Sequence, residues 1–241
     1  MAVGIAALFV CALVAAPSIA NAQEVSLSFD AENSITARGI QLFVLLTLLS
    51  LAPGLAMMVT CFPFIVTVLS ILRQAIGLQQ APPNMVIVSL ALFLSYFIMA
   101  PVFETAWADG ITPYLDKRIE ISAAFEAVIE PFRTFMLNRV DPETLETISA
   151  LRPENPADTD PISLAQLLPS FLLSELARAF QIGFIIYLPF LIIDLVVATV
   201  LMSMGMMMVP PVVVSLPFKL AFFVIADGWA LISESLVRGY F

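Results

Sequence analysis

The sequence predicts an all-α protein built from membrane-protein-like helical hairpins. Three observations carry that expectation. Of 241 residues, 61% are hydrophobic and only 12% charged, whereas a soluble domain is about half apolar and roughly a quarter charged. The apolar residues fall in long runs broken by proline and glycine, and a helix crossing a bilayer needs about 20 apolar residues. Between these runs lies one polar block. From Glu104 to Arg178 it holds thirteen acidic and six basic residues, most of the acid behind a net charge of −9. That balance argues against nucleic acid as a partner, since phosphates call for basic patches.

Met1–Ala22 reads as a secretory signal. Val3–Ala16 is an apolar stretch too short for a comfortable span, and Ala20-Asn-Ala22 is a small-x-small cleavage site. The first residues carry no Lys or Arg, so a short uncleaved helix is the other reading. Cleavage would remove Cys11 and leave Cys61 alone, which excludes an intrachain disulfide. Buried packing is the expected role of Cys61, because no electropositive neighbourhood is evident around it.

Gly39–Leu72 contains no charged residue and is interrupted at Pro53-Gly54 and at Pro63. It has room for one span and a broken extension, and such breaks need protein neighbours to satisfy the freed backbone groups. Arg73 is the only charge between Arg38 and Glu104. It lies just before Pro82-Pro83, which stops a helix, and Asn84, which is suited to cap the next one. This stretch reads as a turn between apolar helices or as a contact surface for a partner. Met85–Phe103 is the second apolar helix. Within the polar block, Ile119–Phe135 alternates apolar and charged residues as an amphipathic helix does. Asp141-Pro-Glu143 opens a short helix, Arg152–Asp160 reads as a loop, and a helix resumes over Ser163–Ala179. The expected organisation is a signal at 1–22, an N-terminal apolar helical hairpin at 23–103, an acidic and mostly helical region at 104–180, and a C-terminal apolar hairpin at 181–241. A cleaved signal followed by paired crossings places the acidic region outside the cytoplasm.

The C-terminal hairpin turns at Met202-Ser-Met-Gly-Met-Met-Met-Val-Pro-Pro211. Five of the eleven methionines lie in its first seven residues. Gly205 and Pro210-Pro211 mark a turn. Consecutive Met206, Met207 and Met208 point in different directions, unlike a stripe that fills a core. Methionine is unbranched and adaptable, which suits a surface that reshapes around different partners. Asp194 and Lys219 are the single charges of the flanking apolar runs, 13 residues before and 12 after Met207. Ionisable groups at such depth are costly and are usually paired or face water. Folding the chain at the methionines brings both to one height, so an ion pair within the hairpin or between subunits is expected, with snorkelling to a polar edge as the alternative.

No catalytic constellation is present. His is absent, and GxSxG, GxxxxGK[ST], CxxC and HExxH are all missing. Neither an enzyme nor a bound cofactor or metal is expected. Leu72–Asn84, Ala91–Leu94, Leu168–Phe171, Phe180–Phe184, Met204–Pro211, Ser215–Lys219 and Asp227–Trp229 together resemble the FliP family of flagellar type III secretion export-gate proteins. The resemblance runs from about Ile40 to Trp229. It implies a ring, five copies in the family, joined by the companion gate proteins FliQ and FliR into a helical, cone-shaped pore for unfolded flagellar substrates. It implies an inner-membrane and basal-body location. It further implies that Met206, Met207 and Met208 narrow the pore as a gasket. Asp194 and Lys219 match charged positions of the family. A proton-coupled small-solute transporter using Asp194, and a scaffold without a conduit, are the competing readings.

Overall fold

The computed structural model describes residues 35–78, 81–151, 162–206 and 208–241. The signal expected at 1–22, the loop expected at Arg152–Asp160 and Met207 lie outside them. The described residues are all-helical, with no strand among them. Two units divide the chain, Met1–Leu48 and Leu49–Phe241. The described part of the first is helical and exposes its apolar side chains from Ile40 to Leu46.

Helix α1, Ile35–Met58, continues through Pro53-Gly54, where an interruption was expected. A proline removes one helical donor but does not force the chain to turn. The break comes at Val59–Cys61 instead. Thr60 serves both sides of it: its Oγ1 donates to Met57 O (2.8 Å) and accepts from Phe62 N (3.3 Å).

Helix α2, Phe62–Ile76, carries Pro63 in its first turn, where a missing N–H costs nothing. It is the centre of the larger unit. Phe64, Ile65, Val68, Leu69, Leu72, Ala75 and Ile76 are all buried, each large one contributing about 1.5–3 kcal/mol. Cys61 precedes it with no exposure, its Sγ 3.9 Å from Ser95 O. Burial pushes the Cys61 thiol up to about 12, so it stays protonated and unreactive.

Helix α3 is Asn84–Ala106, continued by a π-helical turn at Trp107–Ile111 and by α4, Thr112–Leu115. Asn84 does not cap it. The N-cap is Pro83 in extended conformation, a conformation its ring favours, and Asn84 Oδ1 instead accepts from the Arg73 guanidinium. Helix α5, Ile121–Arg139, packs on α3 and the π-turn. Helix α6, Pro142–Leu151, opens on Asp141, whose Oδ2 accepts from Thr144 N at 3.0 Å.

Helix α7, Leu164–Ser203, is 40 residues long, about 60 Å at the helical rise. It opens on Ser163, whose N and Oγ both donate to Gln166 Oε1 at 3.2 Å. The helix expected at Ser163–Ala179 and the first arm of the hairpin expected from 181 are this one helix, since nothing in Phe180–Phe184 breaks it. The boundaries expected near 103 and 180 therefore fall within helical stretches. The polar lower half of α7 packs on α5 and α6, and its apolar upper half forms the hairpin. Helices α8, Pro211–Ile225, and α9, Gly228–Arg238, complete the fold with a 60° bend between them. By length and composition, α3 with its continuation and α7 are long enough to cross a membrane, with bent α8–α9 a third candidate. The 15-residue α2 is too short to span by itself.

Two glycines set close helix crossings and give contrasting expectations. A Cβ at Gly183 would lie 2.4 Å from Ile71 Cδ1, a movable side-chain end. A Cβ at Gly110 would lie 2.4 Å from Val128 Cγ2, but also 2.9 Å from Val128 N and 3.1 Å from Ala124 O, which are backbone atoms. Gly183→Ala is therefore expected to be rescued by Ile71→Ala. Gly110→Ala costs about 1–3 kcal/mol through overpacking, and Val128→Ala leaves most of that in place. Thermal unfolding of the detergent-solubilised variants checks both.

Candidate functional site

The turn between α7 and α8 ends the long helix with a Schellman motif. Gly205 N donates to Met202 O at 3.1 Å, and Met206 N donates to Leu201 O at 3.0 Å. The motif needs a left-handed residue after the helix, and Gly205 supplies it at φ 76°. On the far side, Pro210 is the extended N-cap of α8 and Pro211 occupies its first turn, where proline is favoured. Between these stops Met208 is 98% exposed and Met206 39%. Among the described residues, no atom beyond its chain neighbours lies within 4 Å of where a Cβ on Gly205 would sit. Gly205→Ala is thus expected to cost only the left-handed penalty, about 1–2 kcal/mol, and Gly205→Asn less. Equilibrium unfolding of the two variants checks the order.

The structure brings Asp194 and Lys219 together. Lys219 Nζ lies 2.6 Å from Asp194 Oδ2 within one chain. The second oxygen, Oδ1, accepts from Ser215 Oγ at 2.5 Å. The ammonium also donates to Ala75 O at 3.1 Å. Ala75 sits in the last turn of α2, just before the left-handed Gly77 that ends it. Lys219 thus satisfies an orphan carbonyl and places a cation at the negative end of the helix. Its side chain is 5% exposed and that of Asp194 27%. Three helices meet in this cluster, so the hairpin is tied to the central helix rather than merely pinned across itself.

A second buried cluster lies lower on α7. Glu175 is wholly buried. Its Oε1 accepts from Arg139 Nε at 3.1 Å and Arg178 Nη1 at 3.2 Å, and its Oε2 accepts from the Tyr240 hydroxyl. Burial and the adjacent carboxylate push the Tyr240 phenol above its ordinary range, so it remains a donor. Glu175 is the only acid between Asp160 and Asp194, a signal available in the sequence. Its partners at 139 and 240 share no local periodicity with it and could not be read there.

The sequence matches the FliP family over residues 45–236. It is 48% identical to the flagellar biosynthetic protein FliP of Caulobacter vibrioides, covering 99% of this chain and 90% of that one. The corresponding protein of Agrobacterium fabrum is 44% identical, with 96% of this chain and 97% of the relative covered. That of Bacillus subtilis is 45% identical, with 88% and 96% covered. The match spans every helix from α2 to α8 and both charge pins of the hairpin. The chain belongs to the FliP family.

Proposed function

We propose that this chain is the core pore-forming subunit of the flagellar type III protein export gate, passing unfolded flagellar substrates across the bacterial inner membrane. Its membership of the FliP family carries this reading, and relatives named flagellar biosynthetic proteins support a place in flagellar export. Several copies, five in the family, surround the passage together with FliQ and FliR in the basal body, with the acidic region at 104–180 on the periplasmic side. Met206, Met207 and Met208 form the gasket of that passage, on a turn set by Gly205, Pro210 and Pro211. Asp194 and Lys219 hold the turn in place.

The exposed apolar side chains of the hairpin, among them Leu191, Leu195 and Val213, suit cover by lipid or by neighbouring subunits. Asp194 has both oxygens engaged, which weighs against its use as the coupling carboxylate of a solute transporter. A cysteine at Met208 in the assembled gate is expected to crosslink to a stalled export substrate. No crosslink, with solute uptake by the purified protein, would sink the pore reading.

A further inference from the structure

The three residues after α9 touch four helices. Gly239 O accepts from Arg139 Nη1 of α5 at 2.8 Å. The Tyr240 ring stacks on Phe135 of α5 at 6.1 Å and meets Phe64 of α2 edge-on at 5.6 Å. The Arg139 guanidinium lies 4.0 Å above the same ring. The Tyr240 hydroxyl supplies the only donor to Glu175 Oε2 among the described residues. Phe241 sets its ring edge-on to Phe97 of α3 at 6.4 Å.

We infer that Gly239–Phe241 is a strap locking the lower half of α7 to α5, with Tyr240 as its key. Three features argue that it holds the region shut rather than merely lying on it. Glu175 is fully buried with two donors on Oε1 and Tyr240 alone on Oε2, so losing the Tyr240 hydroxyl leaves a charged oxygen without a donor. Arg139 depends on the strap twice, through Gly239 O and through the aromatic face of Tyr240. The strap also covers Phe64, which belongs to the same buried cluster as Cys61. When the strap lifts, water reaches the cluster through this end of the molecule, and Cys61 is the nearest reporter.

Cys61 therefore measures the latch. In a full-length Cys11→Ser chain held in membranes, Tyr240→Phe keeps the ring and its packing but removes the hydroxyl. Its expected effect is a rise of about tenfold or more in the rate at which a maleimide labels Cys61. A control cysteine at Ile76, the far end of α2, replaces Cys61 in a Cys61→Ala chain. Its labelling is expected to stay unchanged, because the opening is local. Tyr240→Ala is expected to raise Cys61 labelling further. Unchanged Cys61 labelling in both Tyr240 variants would overturn the strap. So would an equal rise at positions 61 and 76, which would mean that the hydroxyl supports the fold as a whole.

Discussion

Lys219→Met is expected to destabilise the chain by about 3 kcal/mol or more and to abolish export, whereas Asp194→Asn is expected to be much milder. The asymmetry follows from the partners. Lys219 Nζ serves Asp194 Oδ2 and Ala75 O, and its loss strands a carboxylate and a helix-end carbonyl together. Breaking a buried pair on one side costs roughly 3–5 kcal/mol. The lower figure applies here because Asp194 is 27% exposed. Asparagine at 194 still offers an oxygen to the ammonium, and Ser215 Oγ can turn to suit the amide. Lys219 then remains at the end of α2. Membrane accumulation, protease resistance and motility of the two variants measure the difference.

The same geometry decides a charge swap. A simple pair is rescued by Asp194→Lys with Lys219→Asp. Here the swap places a carboxylate against Ala75 O at the negative end of α2, where it is repelled. The doubly reversed chain is expected to fail as fully as either single reversal. A double neutralisation, Asp194→Leu with Lys219→Met, leaves no stranded charge and is expected to recover much of the stability. Rescue by the swap, without rescue by neutralisation, would show that Ala75 O does not matter.

What the sequence revealed of this site follows from distance along the chain. Asp194 and Lys219 stand almost symmetrically about the methionine turn, so folding the chain there aligns them. Gly205 and Pro210-Pro211 carry their conformations in their own chemistry. Ala75 O offered no such signal, because a backbone carbonyl has no residue signature and lies 144 positions from Lys219. Tyr240 was equally hidden, 65 positions from Glu175. Asn84 misled for a related reason. Its residue type favours a cap, but Pro83 already held the extended conformation, and a tertiary partner, Arg73, claimed its side chain. The apolar runs gave the helices, but not the fusion of two of them into α7. Gly183 within the join packs against Ile71, a tertiary contact with no local signature in the sequence.

The methionine turn gives the complementary result: large in function and small in stability. Replacing Met206, Met207 and Met208 with alanine shortens each side chain by its Cγ, Sδ and Cε. Met208 is almost fully exposed and Met206 more than a third exposed, so neither shortening opens a cavity in the chain. The Schellman bonds run through the backbone of Leu201, Met202, Gly205 and Met206 and are indifferent to the side chains. Stability is therefore expected to change by no more than about 0.5 kcal/mol per position, and the complex still assembles. Permeability is another matter. If these flexible side chains close the passage, their removal widens it, and small-molecule leak across membranes holding the assembled gate rises. Lys219→Met and the triple alanine thus separate two roles of one hairpin. The first is expected to lower the amount of assembled complex, whereas the second keeps the amount and raises the leak through each copy. An assembled triple variant with unchanged permeability would remove the methionines from the barrier and leave them as surface.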